Sequence, residues 1–136
     1  MPQGGFMTNA EKKRKMKAIT KYVCQTKKFG WWKDKITSQE DRKYEGTRYL
    51  DPTIFIDNDW DQREKEMVAI YLDDGERFNL TKGHSFCRLC GITGRQMGDS
   101  DLTDGIWEWP EGLSHYVRVH NVKPPDCFLR HIFKNY

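Results

Sequence analysis

No stretch of this chain approaches the roughly 18 apolar residues that a membrane-crossing helix needs. Met1 to Lys17 is dense in lysine and has no apolar run, so it does not read as a secretory signal. The motifs of familiar zinc enzymes are missing too. There is no H-E-x-x-H, no H-x-E paired with P-C-x-x-C, and no His-His or Asp-His pair of nuclease type. Apolar residues are few, at 37% against 32% charged, which limits the chain of 136 residues to one modest core. Aromatics at 13% partly compensate, because each buries a large area. A metal tying distant segments together is the device that a core-poor chain of this kind would use.

The four cysteines divide unequally. Cys87 and Cys90 have metal-ligand spacing, whereas Cys24 and Cys127 stand alone. Reduced thiols in a cytoplasmic compartment are the simplest reading, with a Cys24–Cys127 disulfide as the minor alternative. Cys127 is then expected beside a buried helix face as a small hydrophobe. Charge is also uneven. Residues 1–50 carry 13 Lys and Arg against 5 Asp and Glu, while residues 51–100 carry 6 against 10. A basic first third marks either a nucleic-acid contact or a solvated helix face.

In chain order, Met1 to Met7 reads as unstructured. Thr8 or Asn9 caps a helix over Ala10–Cys24 with Met16, Ile19, Tyr22 and Val23 as its apolar stripe. Phe29-Gly30-Trp31-Trp32-Lys33 ends it. Adjacent tryptophans cannot share a face, so one covers the core and the other is exposed or packed under a loop. Lys35 to Arg48 has no periodicity and reads as loop or short irregular helix. Asp59 is the expected N-cap of a second helix, with Gln62 three residues on. That helix carries Trp60, Met67, Val68, Tyr71 and Leu72 inward and stops at Gly75 with positive φ. A short strand over Arg77–Leu80 leads to the cysteines. Leu102 to Trp107 reads as a hairpin with a two-residue Asp104-Gly105 corner, placing Trp107 and Trp109 on one face. Pro110 and Glu111 then open a helix with Leu113, Tyr116 and Val117 inward. A last helix from Pro125 turns Phe128, Leu129, Ile132 and Phe133 to the core.

The chemistry sits between Phe86 and His120. Cys87-Arg88-Leu89-Cys90-Gly91 lets two sulfurs approach one ion, and Gly91 suits the positive φ such a turn requires. A redox dithiol is the rival reading of C-x-x-C, but no strand–motif–helix pattern surrounds it, and His115 and His120 follow. Those two lie about 140° apart on a straight helix. They can share an ion only if the helix loosens or ends near His120, which Asn121, Pro124 and Pro125 permit. Cys87, Cys90, His115 and His120 are thus the expected ligands of a zinc ion, with His84 and His131 as spare candidates.

This run, C-R-x-C-G followed by L-T-D-G and W-P-E-G-L-x-H-Y with His120 beyond, resembles a small uncharacterised bacterial zinc-binding family. The likeness covers roughly residues 50–133 and implies zinc held by the same four residues, with no activity attached. A weaker likeness is to Cys/His zinc fingers of the nucleic-acid-reading kind. Those place about twelve residues between the ligand pairs, whereas 24 separate Cys90 from His115.

The expected architecture is an α+β zinc-stabilised domain: a C-x-x-C turn and hairpin packed on several helices. Residues 1–48 form a basic N-terminal helix and aromatic loop, and residues 49–136 the zinc-binding core, within one compact unit. The leading functional expectation is a structural zinc in a protein that binds a macromolecule, most simply another protein met through Trp31 and Trp32. The second is nucleic-acid binding. Lys12, Lys13, Arg14, Lys15, Lys17, Lys27, Lys28, Lys33 and Lys35 would contact phosphates, and Trp31 or Trp32 would stack on bases. The third is a zinc-dependent hydrolase or nuclease with Glu108 or Glu111 as base.

Overall fold

The computed structural model describes residues 8–33, 43–44, 47–79, 85–94 and 97–136, with backbone alone at 43–44 and 47–48. The expectations for Met1–Met7, Lys35, Leu80 and His84 fall outside these residues. The fold is α+β, with helices α1 (Asn9–Thr26), α2 (Gln62–Asp73), α3 (Leu113–His120) and α4 (Asp126–Lys134). Strands β1 (Lys43–Tyr44) and β2 (Thr47–Arg48) pair with each other. Strands β3 (Glu76–Phe78), β4 (Asp101–Thr103) and β5 (Glu108–Pro110) form an antiparallel sheet in that order. None of the described helices is long and apolar enough to cross a membrane.

Helix α1 starts as the residues dictate. Thr8 Oγ1 accepts from the Glu11 N–H at 3.0 Å, and the Glu11 carboxylate accepts from the Thr8 N–H at 3.3 Å. Ile19 and Val23 are its buried stripe, and Met16 and Tyr22 are partly buried beside them. The chain then turns at Lys27 (φ 56°) and runs along the outer edge of β5, with Phe29 N–H to Glu108 O at 3.1 Å and Glu108 N–H to Lys27 O at 2.9 Å. This delivers Phe29 and Trp32 into the interior. Phe29 meets Trp32 and Phe55 edge-on at 5.3 and 4.9 Å, and Trp107 stacks on Phe128 at 4.2 Å. One cluster of buried side chains therefore draws on α1, α2, α3, α4 and the sheet. Aromatic area supplies what the low aliphatic content does not.

Several expectations are corrected. Asp61 caps α2, accepting from the Glu64 N–H at 2.9 Å, whereas Asp59 lies in the preceding turn. Gly75 does not adopt positive φ; it is small because a Cβ there would lie 2.7 Å from the Trp109 ring and 2.9 Å from Leu102 Cβ. The hairpin between β4 and β5 is closed by four residues, Asp104 to Trp107, rather than two. Asp104 Oδ1 accepts from the N–H groups of Ile106 and Trp107 at 3.0 and 2.8 Å, which widens the corner. Trp107 and Trp109 still share the buried face. Pro110 ends β5 instead of opening a helix, and α3 begins at Leu113. Phe133 is 37% exposed and stands outside the core.

The largest correction concerns Cys24 and Cys127, which form a disulfide rather than remaining reduced (S–S 1.99 Å, sequence separation 103). Cys24 follows Val23 on α1 and Cys127 precedes Phe128 on α4, so packing of those buried neighbours brings the two together. Their Cα atoms are 6.1 Å apart, within the range a disulfide spans.

Candidate metal centre

The turn around Cys87 is built by its own backbone. Gly91 N–H donates to Cys87 O at 2.8 Å and Cys87 N–H to Ile92 O at 2.9 Å, while Phe86 and Thr93 bridge antiparallel. Gly91 adopts φ 78°, which any L side chain would resist even though the space is open. Leu89 N–H points at Cys87 Sγ at 3.4 Å. Cys87 is buried and Cys90 is exposed.

The opposing wall is α3. Leu113, Tyr116 and Val117 hold it in the core, as expected. It ends at His120, where Asn121 turns into the left-handed region at φ 57°. That end is fixed from two sides. Lys65 on α2 donates from Nζ to Arg118 O at 3.1 Å and to Asn121 Oδ1 at 2.9 Å, placing a cation on the negative end of the helix. Asp57 N–H donates to Asn121 O at 3.0 Å and Lys123 N–H to Phe55 O at 2.9 Å, so the chain beyond His120 is pinned to the segment before α2.

The two walls meet at four side chains. Cys87 Sγ lies 3.5 Å from His120 Nε2, and Cys90 Sγ lies 3.4 Å from His115 Nε2. All four donor atoms fall within 4.8 Å of one another, an arrangement that could hold a metal ion. The stop at Asn121 and the reach of each ring through Nε2 resolve the angular mismatch along α3. Burial lowers the pKa of His115, aided by the charge of His120, and burial lowers that of His120. Both rings thus favour the neutral form that a metal requires. Burial pushes the Cys87 thiol up, and the N–H groups of Leu89 and Cys90 pull the other way.

Arg88, between the cysteines, gave no sign of its role in the sequence. Its N–H donates to the Tyr116 hydroxyl at 2.8 Å, its Nε to Lys33 O at 3.2 Å, and its guanidinium lies 4.3 Å over the Phe86 ring. It ties the cysteine turn to α3 and to the segment after α1 at once. Burial pushes Tyr116 up to about 12.

The other expected site residues scatter. Lys12, Lys13, Arg14, Lys15, Lys17 and Lys27 are exposed along α1 and its cap. Lys28 lies 3.9 Å from Glu108. Lys33 and Trp32 are only 3% and 4% exposed, which removes Lys33 as a phosphate contact and Trp32 as a docking residue; Trp31 is half-buried. Glu111 accepts from Arg77 Nη2 at 2.8 Å and from the Asp99 N–H at 3.2 Å, so both its oxygens are engaged. His131 is apart from the cysteines and meets Asp104 Oδ2 at 2.6 Å, where the Tyr71 hydroxyl also donates at 2.5 Å. That trio was not foreseen, because its members are separated by 27 and 33 positions and each reads locally as something else.

No protein family, curated protein or solved structure matches this chain.

Proposed function

We propose that Cys87, Cys90, His115 and His120 bind one zinc ion in a structural role, and that the protein acts by binding a macromolecular partner rather than by catalysis. The observation that carries this is the pair of sulfur–nitrogen separations, 3.5 and 3.4 Å. Zinc bonded tetrahedrally to thiolate at about 2.3 Å and to imidazole at about 2.05 Å sets that edge at roughly 3.6 Å. Two thiolates and two imidazoles in that shape favour zinc over the harder divalent ions. Four protein ligands close the coordination sphere and leave no position for a substrate water. The zinc would act as a crosslink between the cysteine turn and α3.

Two sequence expectations carry less weight beside the fold. A protein partner met through Trp31 and Trp32 loses half of its contact, since Trp32 is in the core. A cytoplasmic setting rested on reduced thiols, and the Cys24–Cys127 disulfide takes that support away. The exposed feature that speaks to a partner is instead the basic helix α1.

Metal analysis with X-ray absorption at the zinc edge tests the first part. One zinc per chain with two sulfur and two nitrogen neighbours is the expected result. No stoichiometric zinc, or an oxygen neighbour in place of a protein ligand, would overturn it.

A further inference from the structure

We infer that the first half of α1 is an arm that lies in the major groove of duplex DNA and contacts phosphates on both walls. This names the partner for the binding role proposed above and rests on that reading. The helix has no buried residue before Ile19, and from Asn9 to Ala18 every residue is exposed except the partly buried Met16, the one apolar anchor of this half among the described residues. Ten helical residues span about 15 Å, enough to cross a major groove about 12 Å wide. A helix this short is marginal in water by itself. Here it is started by the Thr8–Glu11 capping box and anchored at its far end by the Ile19–Val23 stripe and the Cys24–Cys127 disulfide.

The distribution of charge selects the partner. Lys12, Lys13, Arg14 and Lys15 are consecutive and exposed, and Lys17 and Lys21 follow. At about 100° per residue, four consecutive positions encircle the helix. Glu11 is the lone acid on α1 and is spent on the cap. None of these basic side chains forms an ion pair with a described residue. A helix lying on a membrane needs an apolar face turned outward, and the one apolar stripe of α1 is turned into the core. A flat acidic protein surface would meet only one side of the ring of charge. A groove walled by phosphates on both sides meets all of it, and the B-form major groove admits an α-helix whereas that of an RNA duplex is deep and narrow.

The test uses the full-length, metal-analysed protein. Fluorescence anisotropy would follow binding to a labelled mixed-sequence DNA duplex, to the matching RNA duplex and to the single strand, from 50 to 200 mM salt. With six basic side chains engaged, affinity for the DNA duplex should fall about 10³-fold over that range. The variant Lys12→Gln, Lys13→Gln, Arg14→Gln, Lys15→Gln should flatten the slope of log affinity against log salt by about 3.6. Equal binding of all three nucleic acids, no binding at 50 mM salt, or an unchanged slope in the variant would each overturn the groove assignment. Zinc stoichiometry measured on the same preparations separates that failure from failure of the metal reading.

Discussion

The hydroxyl of Tyr116, on the helix that carries both histidines, accepts from the backbone N–H of Arg88, between the two cysteines, at 2.8 Å. This contact holds the two halves of the candidate centre in register, and the same hydroxyl also interacts with the Cys87 side chain. Tyr116→Phe keeps the ring against Trp32 and removes only the oxygen. The lost bond, at a half-buried donor, should cost about 1 kcal/mol in urea denaturation. Zinc affinity should fall as well, with one zinc per chain still bound at saturation.

Cys90→Ala is the cleanest ligand deletion, because Cys90 is exposed and its removal leaves no cavity. Cobalt substitution should give weaker, shifted visible bands and about half the thiolate charge-transfer absorption, with only Cys87 left to supply sulfur. The melting temperature of the variant should no longer respond to zinc, while the metal-free proteins should melt alike. A variant that still binds stoichiometric metal with full affinity would show that Cys90 is not a ligand.

Much of this centre could be read from the chain because its parts are local. A C-x-x-C-G turn carries its geometry in five residues, and an Asn just beyond His120 announces where α3 stops. The hairpin was visible for the same reason, though Asp104 used its side chain to make a wider corner than Asp-Gly alone implies. What escaped was long-range. Nothing near Cys24 signals Cys127, which lies 103 positions away, since the packing of α1 on α4 sets that pair. Likewise Pro110 can open a helix or close an edge strand, and the pairing of Asp101 with Pro110 decides the matter. Asp59 fits as a cap by pattern, yet the Asp57–Trp60 turn holds it ahead of α2 and leaves Asp61 to cap the helix.

Asp104 gives the stability a pH dependence. Burial alone would raise its pKa, but the Tyr71 hydroxyl, the Trp107 and Ile106 N–H groups and His131 together hold it below the usual carboxylate value. A group depressed in the folded state contributes stability that is present above its unfolded pKa, about 3.9, and lost as pH falls through the folded value. Asp104→Asn should therefore destabilise the protein at pH 6, with the gap to wild type closing below about pH 4. Urea titrations of both at the two pH values decide it. A gap that stays constant would remove the carboxylate charge from the account.

The Cys24–Cys127 disulfide closes a separation of 103 residues. Loop-closure entropy for about 100 residues sets its contribution near 4–5 kcal/mol at most. The double variant Cys24→Ser, Cys127→Ser should lose stability up to that amount while retaining its zinc. Thiol titration of the wild type, unfolded with a chelator and no reductant, should count two free thiols. Four would show that the bridge does not form.

With the proposed ion in place, the Cys24–Cys127 disulfide and the zinc centre would be two ties in one small body that answer to opposite chemistry. A phosphine reductant would sever the link between the first and last helices and leave thiolates at an ion in their reduced state. A peroxide or a chelator undoes the ion and leaves the sulfur–sulfur bond standing. Neither a phosphine nor a peroxide alone would unfasten both, so this protein should keep part of its architecture across surroundings that would disarm a chain relying on one tie.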